Sequence, residues 1–189
     1  MAEYLDADPR ALRALAHPLR VSLLHELHAR GTANATVLAA ATGKPVNAVS
    51  FHLRQLVGYG LVEDAPDVGG DGRERWYRPT STDGLRISSR ALGHTPEGRE
   101  ALQAIKQQTA AQWLALVEQF FEPHNEQAVR VSNEESMLLT DEEAHHCATE
   151  LAELLDRWSK HGRQAGDGVR RTYRVMTMLM PLHDQESQA

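Results

Sequence analysis

Residues 46–65 read VNAVSFHLRQLVGYGLVEDA, a helical pattern that runs into a short apolar segment. Val49, Leu53 and Leu56 recur at helical spacing and define one apolar face. The other side of the pattern carries Lys44, Asn47, Ser50 and Arg54. Two interpretations are open: an ordinary core helix followed by a turn, or a helix that packs with one face and presents the other face to a partner.

The residues before this stretch predict a tight turn between two helices. Residues 36–42, TVLAAAT, are typical of a short helix, with Asn34 as its N-cap and Gly43 as its closing residue. Two short helices joined by a glycine turn make a helix-turn-helix, in which the second helix is the reading helix when the fold binds DNA.

Two more helices are predicted nearer the N-terminus. Asp8 followed by Pro9 resembles an N-cap with proline at the first helical position, which predicts a helix over about residues 9–16. His17-Pro18 interrupts that helix, and Pro18 opens the next one. The apolar stripe of this second helix consists of Leu19, Leu23, Leu24 and Leu27.

A β-hairpin is predicted after the reading helix. The runs GLVEDAP and RERWYRP have the composition of strands, and the turn formers DVGGDG separate them. Arg73, Arg75 and Arg78 lie on or beside the second strand, where a hairpin comes within reach of a phosphate backbone; the alternative is that these arginines only solubilise the surface. A helix-turn-helix followed by such a hairpin is a winged helix.

The net charge of −6 is unevenly distributed. Residues 10–80 hold nine Arg and Lys against six Asp and Glu, a net +3, whereas residues 1–9 contribute −3 and residues 81–189 contribute −6. Because nucleic-acid binding usually shows as a basic surface, phosphate contacts are expected in the N-terminal part.

Other sequence features limit the class of protein. The single cysteine, Cys147, excludes an internal disulfide, the N-terminal residues do not resemble a secretory signal, and no apolar run approaches the roughly 18 residues of a membrane helix. We therefore expect a cytoplasmic protein with no membrane association. No convergent acid, base and nucleophile set is evident, so we expect neither enzymatic activity nor a cofactor.

The chain as a whole is expected to be mainly α with small β. Residues 81–95 read as a linker between a first domain, residues 1–80, and a second region, residues 96–189. A long apolar helix is predicted from residue 96 to about residue 121; it is expected to build the dimer, and the region from residue 96 onward is the candidate for effector sensing. A strand–helix–strand (α+β) region is predicted to follow, with the capping box Thr140/Glu143 at the start of its helix and a strand over VRRTYRVMTMLMP.

Two alternatives are open for side chains of the C-terminal half. His145, His146 and Cys147 are adjacent ligand-type residues, but neighbours on a helix point about 100° apart, which favours a solvated face over a metal site. The aromatic and methionine residues form core or a dimer interface, or they line an effector pocket, and we favour core. These residues are Trp113, Phe120, Phe121, Trp158, Met176, Met178 and Met180.

Taken together, residues 10–80 resemble the winged-helix repressors of the ArsR/SmtB family. That family shows an A-x-P-x-R-x-x-I/L-L opening, an S-x-H-L-x-x-L-x-x-x-G-L-V reading helix and a G-R-x-x-x-Y wing. The matching residues are Ala16, Pro18, Arg20, Leu23 and Leu24, then Ser50, His52, Leu53, Leu56, Gly60, Leu61 and Val62, and finally Gly72, Arg73 and Tyr77.

The resemblance implies a bacterial transcriptional regulator, a repressor released by an effector, that binds an imperfect palindrome in double-stranded DNA as a homodimer. Its small-molecule effector is not identified by the sequence. The implied DNA-binding residues are Lys44, Asn47, Ser50, His52, Arg54, Gln55, Arg73 and Arg75. The Cys-x-Cys pair of metal-sensing members is missing, so we expect no metal site. The alternative function is a winged-helix module for protein interaction, without useful DNA affinity.

Overall fold

A computed structural model describes residues 5–6, 9–68, 74–81, 85–86, 93–123, 129–164 and 170–181. These residues form six helices and five short strands. The helices are α1 (Pro9–Leu15), α2 (Pro18–Arg30), α3 (Ala35–Thr42), α4 (Val46–Gly58), α5 (Pro96–Phe121) and α6 (Asp141–Gln164). The strands are β1 (Leu5–Asp6), β2 (Ala33–Asn34), β3 (Val62–Asp64), β4 (Trp76–Pro79) and β5 (Leu85–Arg86). The chain divides into two compact units, Met1–Val131 and Ser132–Ala189.

The helix boundaries follow local capping chemistry. Nδ1 of His17 accepts a hydrogen bond from the Leu19 N–H at the start of α2, and Pro18 occupies the first helical position. Oδ1 of Asn34 accepts from the Val37 N–H at 2.8 Å and caps α3, as predicted. The four predicted helices of residues 9–58 are therefore confirmed, with ends within a few residues of those expected.

One apolar core holds α2, α3, α4 and the sheet together. Its fully buried side chains include Leu23 and Leu27 of the predicted stripe of α2, Val49, Leu53 and Leu56 of the predicted stripe of α4, and Leu38 of α3. Burial of a leucine of this kind stabilises the fold by about 1.5 to 3 kcal/mol. The stripes fix how α4 is rotated, because all three of its buried residues lie on one side.

The hairpin extends a small antiparallel sheet with the order β2-β4-β3. Glu63 of β3 lies opposite Arg78 of β4, and Asp64 lies opposite Tyr77. The predicted hairpin is confirmed for the described residues of its two strands. Strand β2, only two residues long, joins the far edge of β4 and was not predicted, because two residues are too few to show an alternating pattern.

Helix α5 belongs to the same compact unit as the winged helix. Near its start, Ala101 packs on Leu12 of α1, with Leu15, Leu102 and Ile105 around them. This unit therefore extends beyond the boundary at residue 80 that the sequence suggested. The strands β1 and β5 of the same unit pair in parallel, with Leu5 opposite Leu85.

The second unit is correctly predicted as helical but not as strand–helix–strand. Helix α6 starts at the predicted capping box, in which the Thr140 N–H donates to Glu143 Oε2 and the Glu143 N–H donates to Thr140 Oγ1. Residues 132–140 and 170–181, however, form no strand in the described part of this unit. The strand prediction was wrong because β-branched and aromatic residues form a strand only beside a pairing partner, and none of the described segments supplies one.

The favoured interpretation of the C-terminal aromatic and methionine residues as core is also wrong for several of them. Phe121 is 79% exposed, Trp158 is 64% exposed, and Met178 and Met180 are similarly open. The sequence shows that these side chains are apolar, but it does not show whether the chain itself supplies a surface to cover them.

Candidate nucleic-acid interface

The turn between α3 and α4 places the start of the reading helix at the surface. Gly43 adopts a left-handed conformation (φ 65°, ψ 23°), and its N–H donates to the Ala39 carbonyl. The Lys44 N–H donates to the same carbonyl at 3.2 Å. This closure satisfies the end of α3 and turns the chain so that Lys44 is exposed immediately before α4.

Helix α4 has the two faces that its sequence predicts. Val49, Leu53 and Leu56 have no exposed surface, whereas Asn47 and Arg54 are exposed on the other side. Ser50 and Gln55 are half-buried at the margins of the exposed face. The structure therefore brings Lys44, Asn47, Ser50, Arg54 and Gln55 onto one continuous surface along α4 and the turn before it.

One residue of this surface was missed by the sequence interpretation. Phe51 is 50% exposed, and it lies one helical turn from Asn47 and from Gln55 and three residues before Arg54. The signal was present, because position 51 does not fit the stripe formed by Val49 and Leu53. It was overlooked because a phenylalanine is usually assigned to a core.

His52 occupies a different environment from the other predicted DNA-binding residues of α4. Its ring lies against that of His17, with centroids 4.2 Å apart, and makes an edge contact with Phe51 at 5.2 Å. Nδ1 of His52 is buried and has no hydrogen-bond partner among the described residues. Burial, reinforced by His17 and Arg20, lowers the pKa of His52, and burial together with Arg20 lowers the pKa of His17.

Arg20 links the ends of three helices at this place. Its Nε donates to the Ala14 carbonyl at the end of α1, and its guanidinium lies over the ring of Tyr59, 5.9 Å from the centroid, just after α4. The positive charge thus lies beside both histidine rings and favours their neutral forms.

The described arginines of the hairpin make ion pairs within the hairpin itself. Arg75 donates to both carboxylate oxygens of Asp64 at 2.6 Å, and Arg78 donates to Glu63 at 2.8 Å and to Asp67 at 3.2 Å. The Arg75 hydrogen bonds hold the pKa of Asp64 below its ordinary value, so the carboxylate is ionised at neutral pH. This pairing is not evident from the sequence, because it depends on the strand register that brings residues of opposite charge together.

Arg73, the other arginine of the hairpin that was predicted to contact DNA, lies outside the described residues. Beside that segment, Glu74 accepts a hydrogen bond from Nδ2 of Asn34, the residue that caps α3. His28 makes a second link between helix and hairpin, through Nδ1 to the Leu24 carbonyl and Nε2 to the Ser81 carbonyl. The hairpin is thus connected by polar contacts to α2 and α3.

The ligand-type residues of α6 are not grouped around a common point. Nδ1 of His145 lies 2.6 Å from the Asp141 carbonyl, and Nε2 of His146 lies 3.5 Å from Glu150. Among the described residues, no group of three or more His, Cys, Asp or Glu side chains is arranged to hold a metal ion. Nor does any helix of the described part have the length and apolarity needed to cross a bilayer.

Comparison with known proteins agrees with this geometry. Residues 15–65, from the end of α1 to the residue after β3, match the family model described as a helix-turn-helix domain. The matched range ends just after β3, and β4 completes the described part of the hairpin, so the N-terminal part of the chain has a winged helix-turn-helix fold.

A solved structure shows a more distant similarity. It is the solution structure of a homodimeric winged helix-turn-helix DNA-binding domain (fragment 1–100) from Mycobacterium bovis, described as a possible ArsR-family transcriptional regulator. The sequences are 23% identical, the alignment covers 61% of this chain and 84% of that chain, and the TM-score is 0.34. No curated protein matches the chain significantly. The assignment of the fold rests on the elements described above.

Proposed function

We propose that the chain is a sequence-specific DNA-binding transcriptional regulator in which α4 enters the major groove. The observation that carries the proposal is the division of α4 into a fully buried apolar face and an exposed face bearing Asn47 and Arg54. An α-helix fits the major groove, where an asparagine amide pairs with adenine and a guanidinium pairs with guanine. Ser50 and Gln55 would contact bases or phosphates at the margins.

Phosphate contacts in this proposal come from Lys44 and from the hairpin. Lys44 is exposed at the turn that leads into α4. Arg75 contributes only if its guanidinium exchanges Asp64 for a phosphate, since the two are paired in the free protein. His52 is assigned a positioning role, because its ring packs on His17 and holds the start of α2 against α4. A phosphate contact by Arg73 is also proposed, from the sequence alone.

We further propose that the regulator acts as a homodimer on an imperfect palindrome and as a repressor. Two reading helices on one dimer would occupy half-sites about one helical turn apart. Release requires a small-molecule effector that binds the non-binding form of the dimer better than the binding form. The dimer is tested by sedimentation of the full chain, and repression by transcription of a reporter with and without the protein.

DNA binding is tested by selection of full-length protein against random duplexes, followed by affinity measurements at two salt concentrations. Asn47→Ala/Arg54→Ala should abolish the sequence preference. The matched control, Lys106→Ala/Gln107→Ala, removes one cation and one amide from exposed positions of α5 and should leave binding unchanged. Each phosphate contact contributes a slope of about −0.9 in log K against log salt.

A second function has one observation in its favour. The described arginines of the hairpin are neutralised by Asp64, Glu63 and Asp67, which weakens the electrostatic attraction to DNA. A winged-helix module for protein interaction is compatible with that pairing. It predicts no enriched sequence in the selection and no dependence of DNA affinity on Arg54.

A further inference from the structure

We infer that Phe51 reads the 5-methyl group of a thymine in each half-site, an inference that rests on the proposed function. Phe51 is half exposed at the centre of the face formed by Asn47, Arg54 and Gln55. Half of the Phe51 ring surface stays in water in the free protein, so a bound partner can bury it and gain the free energy of that burial. No described residue other than its neighbour His52 makes a ring contact with it.

The chemistry of the major groove supplies one apolar target. Of the four bases, only thymine presents a methyl group there, at C5, and apolar side chains contact it. The residues beside Phe51 are polar and suited to base edges or phosphates, so the face as a whole fits a groove better than an apolar protein surface. The edge contact with His52 limits the rotation of the ring, which favours a fixed position on the DNA.

The inference predicts a half-site with at least one essential thymine. It is tested on duplexes enriched by full-length protein, in which each thymine is replaced by uracil, one at a time. This change removes the methyl group and leaves base pairing intact. Loss of one buried methyl corresponds to about 0.8 kcal/mol, so we expect roughly fourfold weaker binding at the critical position.

The variant Phe51→Ala should bind the thymine and uracil duplexes equally. Phe121→Ala, the same change at an exposed position of α5, should keep the fourfold difference. Enrichment of a sequence without any uracil effect in the wild type overturns the role of Phe51 and leaves the proposed function intact. Absence of any enriched sequence overturns both, and supports a protein partner for the ring.

A separate observation concerns α6, for which we propose antiparallel pairing with α6 of a second copy of the chain. The apolar side chains of α6 recur every three or four residues: Ala144, Cys147, Leu151, Leu154, Leu155 and Trp158. None of the residues of this helix is buried, and Leu154 and Trp158 are exposed. A helix of this pattern is stable when its apolar stripe packs against another helix.

Charge identifies a second copy as the occupant. Residues 141–152 of α6 carry four acidic side chains, Asp141, Glu142, Glu143 and Glu150, and no basic one. Residues 153–164 carry Arg157, Lys160 and Arg163 against Glu153 and Asp156, a net charge of +1. Antiparallel pairing places each acidic half against the half of the partner whose net charge is positive, whereas parallel pairing would place the two acidic halves together. Glu150 and Arg157, seven residues apart and both exposed, flank the apolar stripe on the same side. In an antiparallel pair Glu150 lies opposite Arg157 of the partner subunit.

Cysteine crosslinking of the full chain tests this arrangement. In a Cys147→Ser background, Glu150→Cys/Arg157→Cys should give a covalent dimer linked between positions 150 and 157. The two positions are about 10.5 Å apart along one helix, too far for a bond within the chain. The control Glu153→Cys/Lys160→Cys lies on the opposite side and should stay monomeric on a non-reducing gel. Failure to crosslink, or a 150–150 linkage, overturns antiparallel pairing, while DNA binding independently tests the proposed function.

Discussion

The imidazole rings of His17 and His52 are in contact, with their centroids 4.2 Å apart and their planes inclined by 40°. The His17 ring caps α2 and the His52 ring belongs to α4, the reading helix, so the contact joins the start of α2 to α4. Two imidazolium rings at this distance, beside Arg20, would repel each other. Burial is the main cause that lowers the pKa of each ring below its ordinary value of 6.5; Arg20 adds to it at both rings, and His17 adds to it at His52.

Stability should therefore decrease when the protein is acidified below about pH 6.5. The folded-state pKa values are lowered, so the unfolded chain takes up protons first as the pH falls. The contribution of the neutral rings is fully present above pH 6.5 and is lost as the pH falls through the folded-state values. Urea unfolding between pH 8 and pH 5 measures it. His52→Phe keeps a ring and removes one of the two titrating groups, so the curve should become flatter, whereas His25→Gln on the exposed side of α2 should leave it unchanged.

The pair between Asp64 and Arg75 should restrain DNA binding. Asp64→Asn removes the carboxylate that neutralises the guanidinium, so Arg75 becomes available to a phosphate. We expect tighter binding at low salt and a salt slope steeper by about 0.9 for each additional phosphate that the protein neutralises. Because the pair is exposed, its loss should cost at most about 1 kcal/mol of stability. An unchanged slope in a titration of affinity against salt would falsify the phosphate role of Arg75.

The sequence predicted the elements whose signals are local. Asn34, Gly43 and Pro18 specify helix ends through their own backbone chemistry, and the leucine stripe of α2 specifies its buried face. Features that depend on distant partners were missed. The hydrogen bonds from Arg75 to Asp64 depend on strand register, and the contact between His17 and His52 depends on how two helices pack.

In the C-terminal segment, too, local features were predicted correctly and features that depend on a distant partner were not. Residues 170–181 have the composition of a strand, but composition does not reveal whether another segment is available to pair with them. The capping box of Thr140 and Glu143 involves residues three apart, and it was predicted correctly. Phe51 was missed because no contact within the described part of the chain explains why its ring is exposed.

The left-handed backbone of the turn before α4 should make Gly43 sensitive to substitution. No atom lies within 4 Å of a Cβ added at Gly43, so the penalty of Gly43→Ala comes only from its φ of +65° and should be about 1 kcal/mol. Gly58 has the same open surroundings without a positive φ. Gly58→Ala should leave stability unchanged or raise it by up to about 1 kcal/mol. Thermal unfolding of both variants checks the contrast, and equal destabilisation would contradict it.

Substitution of Asn34 should destabilise the fold more than substitution of an ordinary N-cap residue, because both ends of its buried amide are hydrogen-bonded. Its Oδ1 accepts from the Val37 N–H, while its Nδ2 donates to Glu74 beside the hairpin. Asn34→Asp keeps the cap but places a carboxylate against Glu74, and we expect a loss of about 1 kcal/mol at neutral pH, limited because Glu74 is exposed. Adding Glu74→Gln should restore most of that loss, since the glutamine amide can donate to the new aspartate. Chemical unfolding of wild type, both single variants and the double variant measures the coupling. A double variant as unstable as the sum of its parts would show that Asn34 acts only as the cap of α3 and does not couple that helix to the hairpin.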